Sequence, residues 1–104
     1  MKRIKRRYIA LRLECDGLPS EREFMDAVWA AVTKLYGEVG ASLTGLSLIN
    51  FDGDRKIFVV RTSLASLSIV RASLATVTIV AGKASSLNVL FVSGTLKALY
   101  ANIG

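Results

Sequence analysis

The sequence predicts an α+β fold whose elements run β-α-β-β-α-β and close with a short C-terminal helix. Three observations predict it: a period-two strand over Arg7–Cys15, a capped amphipathic helix directly after it, and two further strands around Asp52-Gly53. That order is the ferredoxin-like split βαβ sandwich, expected as an antiparallel sheet with helices on one face. With 104 residues the chain is about one domain long, so 1–104 is read as a single unit with residues 1–7 as a basic N-terminal tail.

In the first strand Ile9, Leu11, Leu13 and Cys15 alternate with Tyr8, Ala10, Arg12 and Glu14, the mark of a half-buried strand. Leu18-Pro19 breaks it. Ser20 and Glu23 have the spacing of a capping box, in which each side chain satisfies a backbone N–H left unpaired at a helix start. Phe24, Val28, Ala31 and Leu35 then recur at helical spacing, and Gly37 is expected to end the helix. Leu43–Phe51 reads as the second strand, Asp52-Gly53 as a hairpin turn and Lys56–Thr62 as the third strand. The parity of Leu46 and Leu48 against Ile49 and Phe51 predicts a bulge near Asn50.

Residues 61–70 (RTSLASLSIV) are nearly repeated in 71–80 (RASLATVTIV). Leu64, Leu67, Arg71, Leu74 and Val77 follow helical spacing, with Ser63 as the N-cap, so a helix is expected over Leu64–Val77, although Val77–Val80 is rich in β-branched residues. A membrane span is rejected for this stretch, because it is short and carries Arg71 among many hydroxyl side chains. Gly82-Lys83 reads as a turn, Leu87–Val92 as the fourth strand, and Ser93-Gly94-Thr95 as the start of a last short helix.

The composition is 52% hydrophobic with a mean hydropathy of +0.44, more than a core of this size readily hides, and some of the surplus is expected to meet a partner. The net charge of +6 is unevenly laid out. Residues 1–13 hold Lys2, Arg3, Lys5, Arg6, Arg7 and Arg12 and no acid; all eight acids fall between Glu14 and Asp54; from Arg55 onward the charges are again all basic. Such flanking cationic segments suit a polyanion, since Lys and Arg on phosphate release condensed counterions. An anionic membrane and a merely solvated surface are the competing readings of charge alone. The lone Cys15 excludes an internal disulfide and a cysteine-based zinc site, and fits a reducing, intracellular compartment. The basic start leads straight into Tyr8-Ile9-Ala10-Leu11-Arg12 without the apolar stretch of a secretion signal.

Catalysis by the chain is not expected. It has no histidine, which removes imidazole chemistry and histidine-ligated metals, and no base stands in an obvious position to activate a serine. Asp52 and Asp54 could touch a divalent ion, but turn chemistry explains them more simply. RNA-recognition motifs stack bases on third-strand aromatics; here that strand, Lys56–Arg61, has one aromatic and no glycine, so contact through phosphates and shape is expected instead. Two features could make it. Lys2, Arg3, Lys5, Arg6 and Arg7 could lie along a backbone, and Ser93-Gly94-Thr95 could offer backbone N–H groups at a helix start beside Lys97. A solvated charge run and ordinary helix capping are the plain alternatives.

Together Lys5-x-Arg7-Tyr8-Ile9 and Asn88-Val-Leu-Phe-Val-Ser-Gly-Thr-Leu-Lys97 resemble the ribonuclease P protein component 2 family of archaea, related to a subunit of eukaryotic nuclear ribonuclease P. The likeness includes Val70-Arg-Ala-Ser-Leu74 and the Gly82-Lys83 turn. It implies a non-catalytic subunit of a ribozyme that removes 5′ leaders from precursor tRNA, with chemistry by the RNA and its Mg²⁺ and no cofactor on the chain. It further implies ribonuclease P RNA and component 3 as partners, with a possible homodimer inside a heterotetramer, no membrane, and a cytoplasmic location, nuclear in a eukaryote. Lys5, Arg7, Tyr8, Ser93, Gly94, Thr95 and Lys97 match the family motifs as contact positions. A small basic protein-interaction module without an RNA role is the alternative.

Overall fold

In the computed structural model of the chain, residues 5–103 are described. They form β1 (Arg6–Cys15), α1 (Glu21–Ser42), β2 (Ser47–Asp52), β3 (Ile57–Ser63), a single 3-10 turn (Leu64–Ser66), α2 (Leu67–Ala75), β4 (Ile79–Val80), β5 (Lys83–Ser93) and α3 (Leu96–Ile103). The strands join in one antiparallel sheet of order β2-β3-β1-β5-β4. This is the expected split βαβ sandwich with one short strand added at the edge.

The β1 periodicity sets up the core. Ile9, Leu11 and Leu13 are sealed against Phe24, Val28 and Val32 of α1 and Val70 and Leu74 of α2. The Phe24 ring stacks on Phe58 with centroids 3.7 Å apart, and Phe51 stacks on Phe58 in turn at 4.4 Å. The capping box forms as its spacing demands: the Ser20 hydroxyl accepts from the Glu23 N–H at 3.1 Å, and the Glu23 carboxylate accepts from the Ser20 N–H at 2.9 Å. Gly37 leaves helical geometry with φ 76°, as a helix-ending glycine should, but one more helical run follows to Ser42. Leu43 therefore caps α1 instead of opening a strand, and β2 starts at Ser47.

Helices on one face describes α1 and α2 only. α3 crosses the opposite face, where Leu99 is sealed against Ala10 and Val59. Two bulges make this possible. Ile49 is the extra residue between the Leu48–Val60 and Asn50–Val59 pairs, the bulge expected near Asn50. Leu90 is the extra residue between the Ala10–Phe91 and Leu11–Val89 pairs, and it reverses the parity of β5. Leu87, Val89 and Val92 thereby pack on the main core while Phe91 turns under α3.

The second near-repeat is where the helix expected over Leu64–Val77 is corrected. It is split into a 3-10 turn and α2, it stops at Ala75 with Thr76 as its C-cap, and Ile79–Val80 become β4. Ser63 precedes the turn in extended conformation, but its side chain makes no capping bond. Ala81 and Gly82 both adopt positive φ, 53° and 77°, between the Val80–Lys83 partners. That two-residue turn has the twist a hairpin requires, and it lets β5 begin at Lys83, four residues before the expected start. Among the described residues no helix is long and apolar enough to cross a membrane. The surplus apolar surface falls on the end of α1 and on β4, where Val39 is 75% exposed, Leu43 71% and Ile79 61%.

Candidate nucleic-acid interface

The two basic or glycine-bearing motifs, 86 positions apart, meet at one end of the sheet. Antiparallel pairing puts the start of β1 between the end of β3 and the end of β5, so Tyr8 has Arg61 as its partner on one side and Ser93 on the other. The chain entering β1 is pinned there, because the Lys5 carbonyl accepts from the Leu64 N–H at 2.8 Å. The same end is tied to α1 through Thr44, whose carbonyl accepts from the Ser63 N–H and the buried Thr62 hydroxyl, both at 2.8 Å. Lys5 and Arg6 are exposed and Arg7 is half-buried. Lys2 and Arg3 lie outside the described residues.

Arg7 lies across the backbone of Gly94: a Cβ at that glycine would sit 3.4 Å from the Arg7 Nη1. That is ordinary van der Waals distance, so the Arg7 guanidinium rests against the Gly94 backbone. On either side of it the hydroxyls hold the corner. Ser93 Oγ accepts from the Thr95 N–H at 3.3 Å, and Thr95 Oγ1 accepts from the Ala98 N–H at 3.2 Å, which caps α3. Each hydroxyl keeps its own O–H to donate outward. Lys97 is exposed one residue into α3. Tyr8 is half-buried and packs against the Ala10, Val59 and Leu99 cluster, as Leu96 of α3 does.

Among the described residues only two ion pairs form, Arg22 with Asp26 and Arg55 with Asp52. Lys5, Arg6, Arg7 and Lys97 thus face no carboxylate at bonding distance, and the corner combines uncompensated cations with hydroxyl donors. That arrangement can hold phosphate oxygens.

A sequence profile of the Rpp14/Pop5 family matches residues 7–103. The chain belongs to the Rpp14/Pop5 family. It is 33% identical over 97 residues to the ribonuclease P protein component 2 of Pyrococcus horikoshii, an alignment covering 93% of this chain and 81% of that protein. The Pyrococcus furiosus protein of the same name is 32% identical with the same coverage. The family expected from the two motifs is thus the one found. A chain in a cryo-EM structure of yeast ribonuclease MRP superimposes with a TM-score of 0.74 over 92% of this chain and 79% of that one, and at 15% identity it attests the fold.

The Rpp14/Pop5 match takes in Arg7, Tyr8 and the Ser93-Gly94-Thr95-x-Lys97 element, whereas Lys5 and Arg6 precede it. Elsewhere the turn reading of Asp52 is met directly: its Oδ1 accepts from the Asp54 and Arg55 N–H groups at 3.2 and 3.3 Å. The loop runs wider than Asp52-Gly53, through Lys56, which takes φ 54° and donates from Nζ to the Cys15 carbonyl at 2.7 Å. No group of three or more His, Cys, Asp or Glu gathers among the described residues. Phe58, the third-strand aromatic, is sealed in the main core, and α3 covers the centre of the other face. The residue that sequence reasoning missed is Arg61, which joins the corner only through strand pairing.

Proposed function

We propose that this chain is a non-catalytic protein subunit of ribonuclease P that supports the catalytic RNA in removing 5′ leaders from precursor tRNA. The observation that carries the proposal is the relationship to component 2 proteins along 93% of the chain. The corner geometry supports it: Lys5, Arg6, Arg7, Tyr8, Ser93, Gly94, Thr95 and Lys97, extended by Lys2 and Arg3, are the residues read as contacting RNA, through phosphates and shape. In this reading the Mg²⁺ of the reaction belongs to the RNA, component 3 is the protein partner, and two such heterodimers can associate. The exposed Leu35, Tyr36, Val39, Leu43 and Ile79 supply apolar surface for protein contact. The cytoplasm is the expected compartment.

The test is precursor-tRNA cleavage by a ribonuclease P RNA at limiting Mg²⁺, with component 3 alone and then with this chain added. Cleavage should rise only with both proteins present. If the chain neither changes cleavage nor binds that RNA or component 3, the protein-interaction module is the better reading. Lys5→Ala with Arg7→Ala should leave thermal stability unchanged while weakening RNA binding and flattening its salt dependence by about two units of slope. An unchanged slope would remove the basic entry to β1 from the interface.

A further inference from the structure

At the end of the sheet on its α3 side, each of four strands presents one residue to a single row: Ser47, Arg61, Tyr8 and Ser93. One row nearer the strand ends, Arg6 stands opposite Ser63. Strand alternation puts Arg6 and Tyr8 on one face, and Arg61 and Ser63 beside them. Within this patch, Arg61 Nε and Ser63 Oγ are enclosed by the protein and have no hydrogen-bond partner; they are the only such side-chain atoms among the described residues. Folded chains rarely leave a charged donor and a hydroxyl on one strand both without partners, because each forfeits its bonds to water. Arg61 as a residue is partly exposed, and its guanidinium has no carboxylate partner among the described residues.

An oxyanion docking on the partly exposed Arg61 side chain would supply the missing acceptor, and Nε and Ser63 Oγ, enclosed as they stand, would reach it by a small turn of their side chains. A guanidinium offers a planar fork of donors, a serine offers an O–H, and Arg6 across the strand pair adds a second positive charge. Tyr8 makes the patch continuous with Ser93 of the Ser-Gly-Thr corner. We propose that Arg61 and Ser63, with Arg6 opposite, form a phosphate-binding site that holds one phosphodiester of the bound RNA. The choice of RNA as the source of the phosphate rests on the ribonuclease P reading; the anion chemistry does not.

The experiment uses the full chain in two arms. In the first, ¹⁵N–¹H spectra of the arginine side chains are followed as inorganic phosphate is added, and the Arg61 Nε–H resonance should shift ahead of those of Arg22 and Arg71. In the second, Arg61→Met, which keeps the apolar stem and removes the donors, should bind ribonuclease P RNA about tenfold more weakly, with the salt slope reduced by about one unit. Ser63→Ala should give a smaller loss in the same direction. Arg61→Lys, with its charge kept and its fork removed, should recover only part of the affinity. Thermal melting of each variant shows that the fold is retained.

A phosphate-induced shift with RNA affinity unaltered in Arg61→Met would overturn the assignment to RNA and leave a site for free anions. No shift, together with unaltered RNA binding, would overturn the site altogether. If the wild-type chain itself binds no ribonuclease P RNA, the functional reading fails on that measurement and the phosphate titration alone decides the site.

Discussion

On the α1 and α2 side of the sheet, β1 contributes Ile9, Leu11 and Leu13, all sealed within a cluster that runs from Phe24 to Val80. On the α3 side the same strand contributes Tyr8, Ala10 and Arg12, and of these only Ala10 is sealed, by Leu99 and Val59. Alternate residues of one strand thus meet a continuous core and a partial cover. An eight-residue helix is long enough to close the centre of a sheet and too short to close its ends. At one uncovered end the chain gathers Arg6, Arg61, Tyr8 and the Ser-Gly-Thr corner. Stability therefore concentrates on the α1 and α2 face, whereas Arg6, Tyr8, Arg61 and Ser93 lie at the open end of the other, and substitutions in these two sets should separate folding from binding.

The largest effect should come from the closed face. Phe58 stacks between Phe24 and Phe51, so Phe58→Ala opens a cavity that neither ring can refill without losing its own contacts. A loss of about 3–5 kcal/mol is expected in urea denaturation. That is a large share of the roughly 5–15 kcal/mol typical of a domain, and Tm should fall by more than about 10 °C. Leu99→Ala removes the central apolar anchor of α3, yet the helix lies at the surface and can settle toward the sheet. About 2–3 kcal/mol is expected, with hydrogen exchange rising at Ala10, Val59 and Phe91 and not in α1. Equal losses for the two variants, or exchange spreading evenly through both faces, would show that the faces fold as one core and break the comparison.

Local signals were legible from the chain, and the points where tertiary partners decide were not. The capping box at Ser20 and Glu23, the alternation of β1 and the bulge near Asn50 depend on neighbours in sequence, and all three appear in the structure. The Leu90 bulge has no such signal, because Leu87–Val92 is apolar almost throughout and its parity is set by what β1 and α3 cover. The near-repeat shows the same limit most sharply. Ile69-Val70 is helical and Ile79-Val80 is a strand, an identical dipeptide in two conformations, since only the second is followed by a turn that returns a partner strand. At the candidate site Lys5–Tyr8 and Ser93–Lys97 were readable as motifs. That they touch, and that Arg61 stands beside them, follows from cross-strand register.

The smallest predicted effect tests how firmly α3 is tied to the sheet edge. Asn50 donates from Nδ2 to the Tyr100 hydroxyl at 3.1 Å, while its Oδ1 accepts from the Phe51 N–H at 2.8 Å and so steadies the bulge. Tyr100→Phe removes only the first bond. Both side chains are exposed, so water can take over the freed amide donor, and about 0.5–1 kcal/mol should be lost in urea denaturation. RNA affinity should be unaltered, because Tyr100 lies toward the far end of α3 from the Ser-Gly-Thr corner. A loss well above that range would mean that the bond to β2 holds α3 in register over Ala10 and Val59. The partial cover would then depend on a polar clamp at its edge as much as on Leu99 at its centre.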